Sequence, residues 1–223
     1  MIPAPRRLAL NLRIIVTAGP TRERIDPVRF ISNDSTGVMG FEIAEAAKRR
    51  GHEVVLISGP TPGPRPKKIR TILVESARQM ERAVSRGFKR ADAVIMAAAV
   101  CDWRPANTAR SKIKREKSRA AGRSLKLVEN PDILAGLGKK KGRKVLVGFA
   151  METERLVSNA EKKLREKNLD IIVANKVGAK RAIFGPGRTD VVIVDKKKNK
   201  QHLTNVSKRR VAEAIIDKIE RLC

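Results

Sequence analysis

Asn33, Asp34, Ser35, Thr36 and Gly37 stand directly before Met39, Ile43 and Ala47, which recur at helical spacing. Such a junction presents hydroxyls, a carboxamide and unpaired backbone N–H groups at the positive end of a helix dipole. Its chemistry is the holding of an anion, either a phosphate or a carboxylate. A second group follows an apolar burst, where Met96, Ala97, Ala98 and Ala99 precede Asp102. A flat base could lie on that bare backbone, with the Asp102 carboxylate accepting ribose hydroxyls or bonding a nearby loop. Lys112 and Lys114 lie two apart, on one side of an extended chain, and Lys163 and Lys167 lie four apart, on one face of a helix. Either pair could neutralise polyphosphate. Each could equally be solvated charge, and Lys163 and Lys167 could pair with Glu166. Metal and thiol chemistry find little support. His52 and His202 stand alone, and Cys101 has no visible basic partner and reads as a buried structural thiol.

The elements that must position these groups read as α/β. Residues 13–19 form a buried strand ending in a glycine turn, followed by a helix over 38–50 stopped by Gly51 and a strand over 53–58. A Pro/Gly loop fills 59–66 and a strand 69–74. Ser76 with Gln79 makes a capping box for a helix to about Arg86. Strands are expected at 92–100, 144–150 and 170–175, with a helix at 156–167. A β-hairpin is expected over 190–204, turning at 197–199, and Ser207 caps a last amphipathic helix. This rhythm means a Rossmann-like, mostly parallel sheet with helices on both faces, plus a C-terminal β-hairpin and final helix. Ligands of such sheets sit at the strand carboxyl ends. That rim gathers Gly19, Ala97, Ala98, Ala99, Asp102, Gly148, Phe149 and Asn175. Neither G-x-G-x-x-G nor G-x-x-x-x-G-K-[ST] occurs, which weakens both an ordinary dinucleotide fold and a P-loop.

Composition frames these groups. The 223 residues fit one domain, 1–223, with residues 1–12 as an N-terminal extension and 104–130 as a mobile basic loop. No apolar run spans a bilayer and no signal peptide is evident, so no membrane partner and a cytoplasmic location are expected. The formal net charge is +27. This opens the alternative of a basic nucleic-acid-binding protein, beside a Rossmann-type NAD(P) oxidoreductase. Specific nucleic-acid binding is disfavoured by an aromatic content of only 3% and by the spread of the charge.

Together, "TAGPTRERIDPVRFISNDSTGVMG", "AAAVCDWRP" with "KIK" following, "NPDIL", "VGFAMET", "KLREKNLDIIVAN" and a closing "SK" resemble phosphopantothenate–cysteine ligase. That is the synthetase half of the bifunctional coenzyme A biosynthesis protein, and the likeness covers residues 14–219. The resemblance implies an enzyme that joins 4′-phosphopantothenate to cysteine through an acyl-nucleotidylate. It consumes CTP, as most bacterial-type members do, or ATP, with Mg2+, and releases pyrophosphate. It implies no flavin, a homodimer, and a free-standing ligase served by a possible separate decarboxylase. By motif, Asn33 holds the acyl-nucleotidylate, Arg29 lies near the pantothenate end, and Ser35, Thr36 and Gly37 complete the substrate turn. Lys112 is the clamp that turns the intermediate over. Gly19, Met96, Ala97, Ala98, Asp102, Pro131, Asp132, Ile133, Leu134, Phe149, Lys163 and Lys167 are the remaining nucleotide contacts. No protein metal site is implied, since magnesium arrives with the phosphates. Val38 departs from the pattern by replacing a lysine, and Cys101 stands where alanine is common.

Overall fold

A computed structural model describes residues 11–114, 124–152, 154–176 and 187–223. In chain order the elements are β1 (Arg13–Ala18), β2 (Arg22–Arg24), β3 (Phe30–Ser32), α1 (Val38–Arg49), β4 (Glu53–Ser58), β5 (Arg70–Leu73) and α2 (Ala77–Phe88). There follow β6 (Ala93–Met96), β7 (Trp103–Pro105), β8 (Leu127–Glu129), α3 (Ile133–Gly138), β9 (Val145–Glu152) and α4 (Leu156–Glu166). The chain closes with β10 (Ile171–Lys176), β11 (Thr189–Asp195), β12 (Lys200–Val206) and α5 (Lys208–Leu222).

The main sheet has eight strands in the order β12-β11-β10-β9-β6-β1-β4-β5. From β5 to β10 every neighbour pair is parallel; β11 and β12 add antiparallel edges. The strands are apolar and β-branched because crossover helices cover both faces. One face packs Ile14, Val16, Ile95 and Val173 against Ile43 and Ala47 of α1 and Val211 and Ile215 of α5. The other packs Ile15, Val94 and Ile172 against Met80 and Val84 of α2, Ile133 and Leu137 of α3, and Ala160 and Leu164 of α4. The connections run outward from β1 to β4 and β5, then return to β6 and go the other way. The strand order therefore reverses between β1 and β6, and a crevice opens above their carboxyl ends.

Local signals behave as their chemistry requires. The Ser76 hydroxyl accepts from Gln79 N–H, and the Gln79 side chain accepts from the Ser76 N–H, closing the expected capping box. Ser207 caps α5 by accepting from Arg210 N–H. One expectation is corrected: the strand expected over 92–100 ends at Met96, and beyond it only Ala99 bridges, to Pro20. The stretch 104–130, expected as a mobile basic loop, overlaps β7 and β8, which pair antiparallel; its residues 115–123, and residues 1–10 of the expected N-terminal extension, lie outside the described residues. The ribbon of β2 and β3 was not anticipated.

Helix α1 reaches the crevice through a close approach to β1. A Cβ on Gly40 would lie 2.6 Å from Ala18 Cβ and 2.7 Å from the Thr17 carbonyl oxygen. The obstacle is largely backbone, which cannot swing aside. Gly40→Ala is expected to destabilise the fold by ~1–3 kcal/mol, read as a lower urea midpoint. An unchanged midpoint would show that α1 is not held this tightly.

Candidate active site

Two cavities share a wall above the β1–β6 reversal. The first, of about 350 Å³, is lined by Met96 at the end of β6 and by Ala98, Val100, Cys101, Asp102 and Trp103 from the chain after it. Glu129, Asn130, Pro131, Asp132, Ile133 and Leu134 face them, and Phe149 and Lys167 close it. The second, of about 500 Å³, is lined by the whole turn from Asn33 to Gly40, by Ala97, Ala98, Ala99, Val100 and Asp102, and by Phe149, Ala150 and Met151. Lys163, Asn175, Thr189, Val191 and Lys208 complete it. Ala98, Val100, Asp102 and Phe149 belong to both.

The polar turn is held open by short links. Gly37 takes φ 78°, a left-handed conformation that glycine adopts without strain, and α1 begins there with no side-chain cap. Its first-turn N–H groups are thus left to a ligand or water. Asn33 Nδ2 donates to the Val100 carbonyl at 3.0 Å, tying the turn to the wall both cavities share. The Cys101 N–H donates to Thr21 Oγ1 at 3.0 Å, and its thiol points at the Thr21 carbonyl. Burial pushes that thiol above its usual range, so Cys101 is the structural thiol expected.

Two carboxylates stand against the expected lysines. Lys163 Nζ lies 2.7 Å from Glu152 Oε1, and Lys167 Nζ lies 2.8 Å from Asp132 Oδ2. Burial would raise both carboxyls. The lysine ammoniums, with Asn159 on Glu152 and Ala135 N–H on Asp132, outweigh it and hold both below the ordinary range. Glu166 instead pairs with Lys162. Lys163 and Lys167 therefore project to different cavities, each with an anion already at its ammonium.

Asp26 is the hub beside the turn. Its side chain is fully buried and accepts from the N–H groups of Val28 and Arg29 at Oδ1, and from Arg29 Nε and Nη2 at Oδ2. The Ile113 N–H also donates to Oδ2, at 3.2 Å, and Arg29 Nη2 donates to the Ile113 carbonyl at 3.0 Å. The Arg29 guanidinium, against the opposing effect of burial, holds the Asp26 carboxyl far below the usual carboxylate range. Sequence reading did not single out Asp26; the signal lay in its place before Pro27 and three residues ahead of Arg29, a short-range turn. Through it, exposed Lys112 is fixed at its neighbour's backbone to the same loop that carries Arg29.

The expected residues divide as follows. Met96, Ala98, Asp102, Pro131, Asp132, Ile133, Leu134, Phe149 and Lys167 meet in the first cavity. Asn33, Ser35, Thr36, Gly37, Ala97 and Lys163 meet in the second. Arg29 and Lys112 line neither. Gly19 also stands outside, packed on Gly59 and Thr61. Gly148 is not at a strand end, because β9 continues to Glu152 and Gly148 faces Leu134 and Leu169. Trp103, Glu129 and Asn130 in one cavity, and Thr189 and Lys208 in the other, were not anticipated as site residues.

Residues 10–222 match the family described as DNA/pantothenate metabolism flavoprotein C-terminal domain. The chain belongs to this family. It is 44% identical over 210 residues to the coenzyme A biosynthesis bifunctional protein CoaBC of Bacillus subtilis (strain 168), covering 94% of this chain and 51% of that protein. It is 46% identical over 168 residues to CoaBC of Escherichia coli (strain K12), covering 75% of this chain and 41% of that one. The chain thus spans about half or less of the length of these curated relatives. A crystal structure of the C-terminal domain of CoaBC superposes with a TM-score of 0.80 at 40% identity, covering 95% of each chain. A Cab2 variant in complex with phosphopantothenate-cysteine shares the fold, with a TM-score of 0.73 at 18% identity over 95% of this chain and 86% of that one. Among the described residues of this family member, no helix is long and apolar enough to cross a membrane.

Asp26→Asn places an amide nitrogen or a weaker acceptor against Arg29 and the Ile113 N–H. Trypsin is expected to cut after Lys112 and Lys114 severalfold faster in this variant. Because the folded carboxyl is depressed, the anchor is fully present above the unfolded-state value near ~3.9 and is lost as pH falls through the folded one. Wild-type cleavage rates should therefore stay level from neutral pH to about 5 after correction for trypsin's own profile. Equal cleavage of variant and wild type would remove the hub role.

Proposed function

We propose that the chain is a phosphopantothenate–cysteine ligase. The observation that carries this reading is the pair of cavities with a common wall. A nucleotide over Ala97 and Ala98, its ribose toward Asp102, would bring its α-phosphate to the edge of the cavity lined by the Asn33 turn. A carboxylate held there is in line to attack. Family membership and the names of the CoaBC relatives support the choice of substrates.

In the first step a carboxylate oxygen of 4′-phosphopantothenate bonds to the α-phosphorus, the α–β phosphoanhydride bond breaks and pyrophosphate leaves. In the second the cysteine amine attacks the acyl carbon and loses a proton, the acyl C–O bond to phosphate breaks, and the nucleoside monophosphate departs. Both steps need charge neutralisation and alignment more than a covalent nucleophile. Asn33, with the free N–H groups of α1, would hold the acyl phosphate; Ser35, Thr36 and Gly37 shape the acyl side and Arg29 lies near it. Asp132 and Glu152 would hand Lys167 and Lys163 to nucleotide oxygens. Mg2+ comes with the triphosphate. Its ligands on this reading are phosphate oxygens and water. CTP is the proposed triphosphate, and the active unit a homodimer in the cytoplasm.

Pyrophosphate release should depend on phosphopantothenate and be faster with CTP than with ATP. Lys112→Gln should lower kcat by about 100-fold while the apparent nucleotide KM changes little, because the charge matters most as the leaving group departs. Asn33→Ala should impair single-turnover formation of the acyl-nucleotidylate in a folded protein. Pyrophosphate release without phosphopantothenate, or a Lys112→Gln effect confined to KM, would contradict the assignment.

A further inference from the structure

Helix α2 carries its charge in a row. Arg78, Arg82 and Arg86 recur every four residues, and Arg90 continues the spacing past the helix end, where its N–H bonds the Gly87 carbonyl. The row lies two residues, about 200°, around the helix from Met80, Val84 and Phe88, which are buried against the sheet. The arginines are therefore presented outward, and all four are exposed. Within the helix each is about 6 Å along the axis from the next. Like charges at this spacing oppose helix formation. Among the described residues Glu81, the sole acid of α2, pairs with none of them.

The row runs into a second basic group at the amino ends of the strands. Lys144 Nζ donates to the Lys89 and Ala91 carbonyls at 3.1 and 2.6 Å, fastening the loop before β9 to the end of α2. That loop carries Lys139, Lys140 and Arg143, all exposed. The acids near it are turned inward. Asp92 accepts the Arg13 N–H at 2.8 Å, and Asp170 is engaged by Lys141, Lys196 and the Leu146 N–H. Among the described residues no ion pair reaches the four arginines of the row, or Lys139, Lys140 or Arg143. Helix carboxyl ends favour cations, which accounts for residues 89–90 and 139–140 but not for the row along α2 or for Arg143. None of these residues lines either cavity.

We propose that this track binds the phosphodiester backbone of a nucleic-acid duplex, independently of base sequence. Arginine presents a planar fork of N–H donors that matches phosphate oxygens in pairs. Each strand of a duplex carries one phosphate per about 3.4 Å of axis, so arginines about 6 Å apart meet roughly every second phosphate. Other polyanions fit less well. Among the described residues no large exposed apolar side chain belongs to α2 or to residues 139–144, so nothing there enters a lipid layer or anchors a protein partner. Nor is an aromatic side chain exposed there to stack unpaired bases, since Phe88 is buried and Lys144 lies over its ring. The scarcity of aromatics, which disfavours base reading, leaves backbone contact untouched. The track lies apart from the cavities and does not rest on the ligase reading.

The test follows the fluorescence anisotropy of labelled RNA and DNA duplexes of about 20 base pairs and arbitrary sequence, from about 50 to 200 mM salt. For wild type, log K should fall against log salt with a slope of about −4, the counterion release of four to five phosphates. Arg78→Gln/Arg82→Gln/Arg86→Gln/Arg90→Gln should bind at least about 30-fold more weakly at the lowest salt, with the slope reduced by about 3. A control removes as much charge from the helices on the other face: Lys48→Gln/Arg209→Gln/Arg210→Gln/Arg221→Gln should stay within about threefold of wild type. The row variant should keep its urea midpoint, because glutamine forms helix well and the like charges are gone. If it does not fold, Arg82→Gln/Arg86→Gln decides, with about half the loss of slope. Binding of RNA, DNA or both with the expected slope supports the track, and the tighter duplex names the source of the backbone. Equal weakening in the row variant and the control would mean that net charge alone holds the duplex, and would overturn the track. So would a wild type that binds neither duplex at the lowest salt, or one that prefers single strands of the same length, polyglutamate or phosphatidylserine vesicles.

Discussion

Everything at the site depends on how closely the first turn of α1 lies against the end of β1. No side chain fits between Gly40 and the Thr17–Ala18 backbone, and Gly37 turns the chain in a conformation that other residues hold only with strain. This contact delivers an uncapped helix end to the crevice above the strand reversal. It also fixes the line of α1, and through the shared apolar core the line of α5. A few tenths of an ångström here would displace the Asn33 turn, Lys208 and the wall that joins the cavities.

Charge is organised around that frame as ion pairs. Lys163 with Glu152 and Lys167 with Asp132 are partly exposed pairs, and their net stabilisation is small. The carboxylates hold the ammoniums beside the cavities that Lys163 and Lys167 line. Asp26 differs. It is fully buried, and its oxygens are engaged by the Arg29 guanidinium and three backbone N–H groups, so it acts as a fixed post. The loop bearing Lys112 is tied to that post, while the Lys112 side chain stays exposed.

Much of this was legible in the residues. The strand at 53–58, the Ser76 box, the hairpin turn and the Ser207 cap follow from local rules, and the structure has them at the expected places. Periodicity and strand order together located the rim, and most residues expected there line the two cavities. What failed were inferences that needed tertiary contacts. The alanine run after Met96 looks like continued strand, but it leaves the sheet, and Ala99 returns only to bridge Pro20. Gly148 looks like a strand end, yet its missing side chain makes room for Leu134 and Leu169. The β2–β3 ribbon is too short and too polar for an alternation signal. Lys208 enters the sequence reading only within the closing SK motif, and the fold brings it to the second cavity. The candidate site was named largely from the resemblance, and geometry adds Trp103, Asn130, Thr189 and Lys208 to the lining of the two cavities.

The claim that the two cavities act as one site, with a carboxylate attacking an α-phosphate across their common wall, can be read from the fate of one oxygen atom. Phosphopantothenate labelled with 18O in its carboxylate should pass one labelled oxygen to the nucleoside monophosphate for each amide formed, leaving pyrophosphate unlabelled. Label in inorganic phosphate, or a nucleoside monophosphate without label, would mean that activation takes another course and that the shared wall is not where the bond is made.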